Sequence, residues 1–184
     1  MGTFLDIAGS AIIAGLLLLA VLSSYTNVNQ YAIQNSMDLS VQGNLSEWLQ
    51  IVQHDFRKIG YRVGNPAWAI QSCDTSSISF VSDIDNNGVL DSVTYYLGLP
   101  DQVSGTQNPR DRALYRVVGG QQTGGALGIT DFQLRYYDDS GNITWTPSDV
   151  KAVEIFIQVE SSFPLDTTYA WSSWRGVIYP LNLQ

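Results

Sequence analysis

Between its first residue and Arg57 the chain contains no lysine and no arginine. That absence removes the basic n-region of a secretory signal and the flanking positive charge that orients an ordinary single-pass anchor. Basic residues are scarce throughout, nine against seventeen acids, for a net charge of −8. So acidic a chain lacks the clustered Lys and Arg that nucleic acid or an anionic lipid surface requires. A single cysteine, Cys73, excludes an internal disulfide and reads as a small side chain of the interior. With one histidine, His54, beside Asp55, there is no recognisable nucleophile-and-base set, and no enzymatic activity is expected.

What the chain does have is a long apolar run. From Ile7 to Leu22 every residue is apolar or small, and the only charge nearby is Asp6. At about 1.5 Å per residue this stretch and its semi-polar flanks are long enough to cross a hydrocarbon core of about 30 Å. An ionised carboxylate at the edge of lipid needs a cation, and with no basic side chain near, the candidate is an α-amino group, its own or a neighbour's. Asp6 would then register packed helices head to tail, where the plainer alternative is a headgroup-level cap of the helix N-terminus. Ala8, Ala11 and Gly15, with Gly9 and Ser10 beside them, allow close helix contact.

Beyond the apolar run, residues 24–38 are polar but free of Gly and Pro, so the helix is expected to continue, with Tyr25 and Tyr31 suited to an interface. Gly43, then Asn44 with Glu47 three residues on, predicts a break and a new N-cap. Leu45, Leu49, Val52, Phe56 and Ile59 then form one apolar face, with Trp48 beside it and Gly60 as the stop. This divides the chain into a hydrophobic transmembrane and assembly helix over 1–43, an amphipathic continuation over 44–60 and a β-rich head over 61–184. Predicted strands are Ile78–Ser82, Ser92–Leu97, Leu114–Val118, Asp131–Tyr137, Val150–Glu160 and Gly176–Leu183, with a hairpin turn at 138–142 leading into Ile143–Trp145. The expected class is α+β, a long N-terminal helix packed on an antiparallel sheet.

Phe4-Leu5-Asp6 followed by a helix rich in small apolar residues resembles the start of a mature type IV pilin or type II secretion pseudopilin. In that superfamily an acid, usually Glu, stands fifth from the mature N-terminus; if Met1 is removed, Gly2 becomes the first residue and Asp6 the fifth. The segments 55–61, 78–80, 83–88, 93–97 and 114–116 are similar to the larger minor pilins and minor pseudopilins, so the resemblance covers most of the chain. It implies a filament subunit with Gly2, Phe4, Asp6, Gly9 and Gly15 at the assembly surface. The implied partners are further copies, other pilin subunits and an inner-membrane assembly machinery. It also implies a membrane-anchored state before assembly and an extracellular filament after it. The alternatives are a minor tip or initiator pseudopilin and a membrane-anchored ligand-binding domain.

One further motif carries chemistry. Asp83, Asp85, Asn87, Gly88, Val89 and Asp91 fall at positions one, three, five, six, seven and nine of an EF-hand-like loop, which points to Ca²⁺ with the Val89 carbonyl as a ligand. Thr94 stands where a bidentate Glu should close the site. The competing reading is a turn whose side chains bond their own backbone. Arg110, Arg112 and Arg116 interleave with Asp111 as a mixed-charge loop. Tyr169, Trp171 and Trp174 form an aromatic cluster expected to close a core or a subunit interface.

Overall fold

The computed structural model describes residues 2–184, without the side chains of residues 5, 101 and 123–127. The chain divides into two units between Met37 and Asp38. One helix, α1 (Gly2–Arg57), contributes to both. Seven strands follow: β1 (Ile70–Cys73), β2 (Ser77–Ser82), β3 (Asp91–Leu97), β4 (Arg112–Val118), β5 (Gln121–Tyr137), β6 (Ala152–Glu160) and β7 (Trp171–Ile178). They form one sheet in chain order, and every neighbouring pair is antiparallel. This is a meander, closed by local turns with no crossover. The class is α+β, with a helix on an antiparallel sheet.

In the first unit the helix is apolar all round over residues 7–22. Phe4, Ile12, Leu17 and Leu19 are exposed, and mean hydropathy reaches 2.4 over the most apolar 18 residues. Three of its hydroxyls are turned onto the helix backbone: Ser10, Ser24 and Thr26 donate to the carbonyls of Ile7, Ala20 and Ser23. In lipid this matters, because a hydroxyl satisfied by its own helix needs no water. The helix is long and apolar enough to cross a membrane.

In the second unit, residues 38–57 bury a stripe. Val41, Leu45, Val52 and Phe56 are buried, Leu49 and Trp48 are partly so, and Ile59 follows at the helix exit. Their three- and four-residue spacing aligns them on one face, as the sequence predicts. Phe56 meets Phe80 of β2 and Tyr95 of β3 edge to face, at ring-centroid distances of 5.9 and 5.5 Å. Alternate residues of the strands complete the core: Ile78 and Phe80, Phe132 and Leu134 and Tyr136, then Val153, Ile155, Ile157 and Val159. Period-two burial is what a sheet with one covered face requires.

The helix stops where expected. Gly60 adopts φ +79°, and a Cβ there would lie 3.1 Å from Ala69 Cβ and 3.3 Å from Asn182 O, so both conformation and space call for glycine.

The structure departs from local expectation in four places. No break occurs at Gly43 and Asn44 caps nothing, because α1 runs through both. Gly43 faces open space while Val41 and Leu45 on either side are held in the core, and packing outweighs the roughly 0.5–1 kcal/mol that a mid-helix glycine costs. The four-residue edge strand β1 is an addition, since its short, mixed sequence carries no strand signal of its own. The strand predicted over Asp131–Tyr137 begins ten residues earlier, at Gln121. Gly128, at φ +88° and with Glu160 O 3.0 Å from where a Cβ would stand, allows it to shift register and serve two neighbours, β4 with 121–129 and β6 with 129–137. The hairpin turn expected at 138–142 is present: the Asp138 amide donates to Asn142 O, Tyr137 bridges Ile143 and the Thr144 amide donates to Tyr136 O. Finally, β7 spans Trp171–Ile178 where Gly176–Leu183 was expected; Pro180 lacks the amide a ladder needs, and Leu181–Leu183 is a 3₁₀ turn.

Candidate functional site

Two places in the molecule carry the residues singled out by sequence. The first is the N-terminal part of α1. Gly2, Phe4 and Asp6 lie in its first turns and are exposed; Gly9 and Gly15 follow, with nothing within 4 Å of where a Cβ would stand on either. The helix therefore offers an uncovered apolar surface with one acid and, along residues 2–56, no lysine or arginine.

The second is the turn between β2 and β3, residues 83–90, which closes the hairpin whose strands pair Ser82 with Asp91. One carboxylate oxygen from each of Asp83, Asp85 and Asp91 lies within 4.8 Å of the others. Asp83 is fully buried. Its Oδ2 accepts from the Gly88 amide at 3.0 Å and pairs with Arg62 Nη1 at 3.1 Å, while its Oδ1 is buried without a hydrogen-bond partner. Asp91 Oδ2 accepts from the Ile84 amide, and Asp85 accepts from the amide and the side chain of Asn87. Asn87 Oδ1 in turn accepts from the Val89 amide. Asn86 and Gly88 hold φ of +63° and +90°, the left-handed backbone that lets so short a turn gather its acids.

This turn is stitched to the exit of α1. Lys58 Nζ donates to Ile84 O at 2.7 Å and to Asn86 Oδ1 at 3.1 Å, Ser82 Oγ donates to Lys58 O, and the Asp83 amide donates to Tyr61 O. Arg62 reaches Asp83 from a backbone with φ +64°. Lys58 and Arg62 are not among the sequence candidates. The available signal is their place in Lys-Ile-Gly-Tyr-Arg directly after the helix, but which acids they meet depends on the fold of the β2–β3 hairpin. Thr94, at position twelve, shares a hydrogen bond with Ser79 Oγ across the β2–β3 ladder at 3.0 Å.

Beside the turn lies a groove of about 890 Å³ between α1 and the sheet. Glu47, Trp48, Ile51 and His54 line it from the helix, Asp85 and Asp91 from the turn. At its floor Asp55 is buried, accepting at Oδ2 from Tyr95 Oη at 2.5 Å and from Arg116 Nε at 2.6 Å. Burial, followed by the Asp55 charge and hydrogen bond, pushes the Tyr95 hydroxyl far above its ordinary range, so it stays a donor. The His54 ring is largely exposed beside Asp55, at 3.2 Å, in keeping with a solvated residue.

The remaining candidates scatter. Cys73 Sγ donates to Trp145 O at 3.1 Å, and partial burial raises its thiol pKa, followed by the nearby Asp74 charge. Arg110 pairs with Glu160 at 2.7 Å and Arg116 with Asp55, so two of the three arginines serve buried acids; Arg112 lies on β4. The aromatic cluster divides: Trp174 packs against the core, Trp171 is exposed, and Tyr169 lies under the Arg110 guanidinium at 5.5 Å.

The chain matches no protein-family model and no curated protein sequence.

Proposed function

We propose that this chain is a structural subunit of a type IV pilus-like filament, polymerising through the N-terminal part of α1. On this reading the subunit waits in the membrane before assembly and stands in an extracellular or envelope-spanning fibre after it. It performs no catalysis. The observation that carries the reading is a helix whose apolar window is wholly uncovered by its own chain, with exposed side chains from Phe4 to Ile33 and a single acid at its head. A surface of that size needs a cover, either lipid or other apolar helices. Asp6 favours the helices, because a carboxylate among apolar surfaces needs a cation and a neighbour's α-amino group supplies one. The resemblance of Phe4-Leu5-Asp6 to pilin N-termini points the same way.

Electron microscopy of a detergent-free preparation tests this. Helically ordered fibres support the filament, whereas dispersed particles in lipid nanodiscs support a membrane-anchored binding domain. Asp6→Ala is expected to leave membrane insertion intact and to block or greatly slow fibre growth. Fibres forming at the parent rate would remove the pairing role.

A further inference from the structure

We propose that the β2–β3 turn is a Ca²⁺ site, with Asp83, Asp85, Asn87, Asp91 and the Val89 carbonyl as its ligands. Acids gathered on a surface turn are common without a metal, and three carboxylates within 4.8 Å would not suffice. What singles out this turn is Asp83. Its side chain is wholly buried, and a buried carboxylate oxygen left without a donor costs more than the hydrogen bond it forgoes. Folding has placed one such oxygen, Oδ1, in the residue that begins the ligand series.

The two bases nearby do not take the place of the metal. Arg62 and the Gly88 amide are both on Oδ2 of Asp83. Lys58 binds Ile84 O and Asn86 Oδ1, the even positions of the turn, and leaves the odd positions to a ligand. Three carboxylates against two bases leave a net charge of about −1, an acidic excess that attracts a divalent cation. Asp111 provides the contrast. Its two oxygens are also buried and without partners, but nearby Glu160 is already held by Arg110 and Asn108, and among the described residues no group of three acids surrounds it.

The donor chemistry selects the ion. All five ligands are oxygens and the cluster contains no His or Cys, which disfavours zinc and copper. Oxygens at alternate positions of an irregular turn suit the flexible coordination of Ca²⁺ better than the strict octahedron of Mg²⁺. Thr94 is engaged with Ser79, so positions that a closing Glu would occupy fall to water, and affinity belongs in the weak range of about 10⁻⁴ to 10⁻³ M. The bound ion would join the end of β2, the turn and the start of β3. Because Lys58, Tyr61 and Arg62 already tie this turn to the helix exit, the ion stiffens the junction of helix and sheet.

The test uses the full chain in detergent micelles, stripped of metal by chelator. Tb³⁺ is titrated with excitation of the aromatic side chains, since Trp48 lines the same groove as Asp85 and Asp91. We expect sensitised luminescence, displaced by Ca²⁺ and at least about tenfold less effectively by Mg²⁺, with a Ca²⁺-dependent rise in melting temperature. Asp85→Asn, at an exposed position, is expected to weaken binding about tenfold or more through loss of one ligand charge. Asp139→Asn, in the separate acidic turn at 138–142, is expected to change nothing. Circular dichroism of each variant verifies the fold. Absence of any Ca²⁺ effect on melting up to about 10 mM, tenfold above the weakest affinity expected, overturns the proposal. So does Tb³⁺ binding that survives Asp85→Asn and Asp91→Asn in folded protein, which would place the cation elsewhere on an acidic surface.

Discussion

The two parts of α1 share one backbone and almost nothing else. Residues 7–22 present Leu, Ile and Val on every side, and these side chains lie open; residues 38–57 set Val41, Leu45, Val52 and Phe56 on one face, and that face is buried. The difference lies in what each part needs to be stable. An amphipathic stripe is satisfied by its own sheet, while an all-round apolar helix has no intramolecular cover of sufficient extent. The first part therefore looks outward for its environment, and the second anchors the head.

The comparison predicts opposite responses to the same kind of truncation. Phe56→Ala removes a fully buried ring set edge-on to Phe80 and Tyr95, and is expected to cost about 3–5 kcal/mol of head stability in denaturant unfolding followed by near-UV circular dichroism. Leu17→Ala, at an uncovered position, is expected to leave that transition unchanged. A Leu17→Ala variant that unfolded as easily as Phe56→Ala would show that the apolar part also belongs to the folded head.

A second contrast lies among the buried acids of the head. Asp55 is met by Tyr95 and Arg116, whereas Asp111 is buried with neither oxygen bonded. Burial raises the Asp111 pKa, and the Glu160 charge adds to it, while the Thr106 hydroxyl donates to Ser162 O. The unfolded carboxyl ionises at its ordinary value, so between that value and the raised one the folded state binds more protons. Stability is accordingly expected to fall as pH rises through this window, and Asp111→Asn is expected to flatten the fall. Urea unfolding across the range from about pH 4 to about pH 7 measures it; an identical slope in the variant would mean that Asp111 is solvated.

The smallest effect concerns the start of the buried stripe. Gly43 is helical and a Cβ there meets nothing within 4 Å, so Gly43→Ala is expected to stabilise by about 0.5–1 kcal/mol. Destabilisation would revive a functional break at that position.

Much of the scaffold is legible along the chain, because apolar periodicity is local. The stripe of Leu45, Val52, Phe56 and Ile59, the stop at Gly60 and the alternation of Val153, Ile155, Ile157 and Val159 each follow from spacing in sequence. Local reading fails where distant contacts prevail. Gly43 resembles a helix break in sequence, and only the burial of Val41 and Leu45 carries the helix past it. At the turn, the ligand spacing from Asp83 to Asp91 is visible, but nothing local associates Lys58 and Arg62 with it.

By itself, then, the sequence determined a long apolar helix with one acid, an amphipathic continuation and a β-rich head, since each depends on the order of polar and apolar residues over a few turns or strands. Tertiary structure alone decided that Asp83 is buried with one oxygen unanswered, and that bases far upstream in the chain hold the other side of its turn. Burial and charge pairing are properties of surfaces brought together from distant parts of the chain, and no local pattern encodes which surfaces will meet.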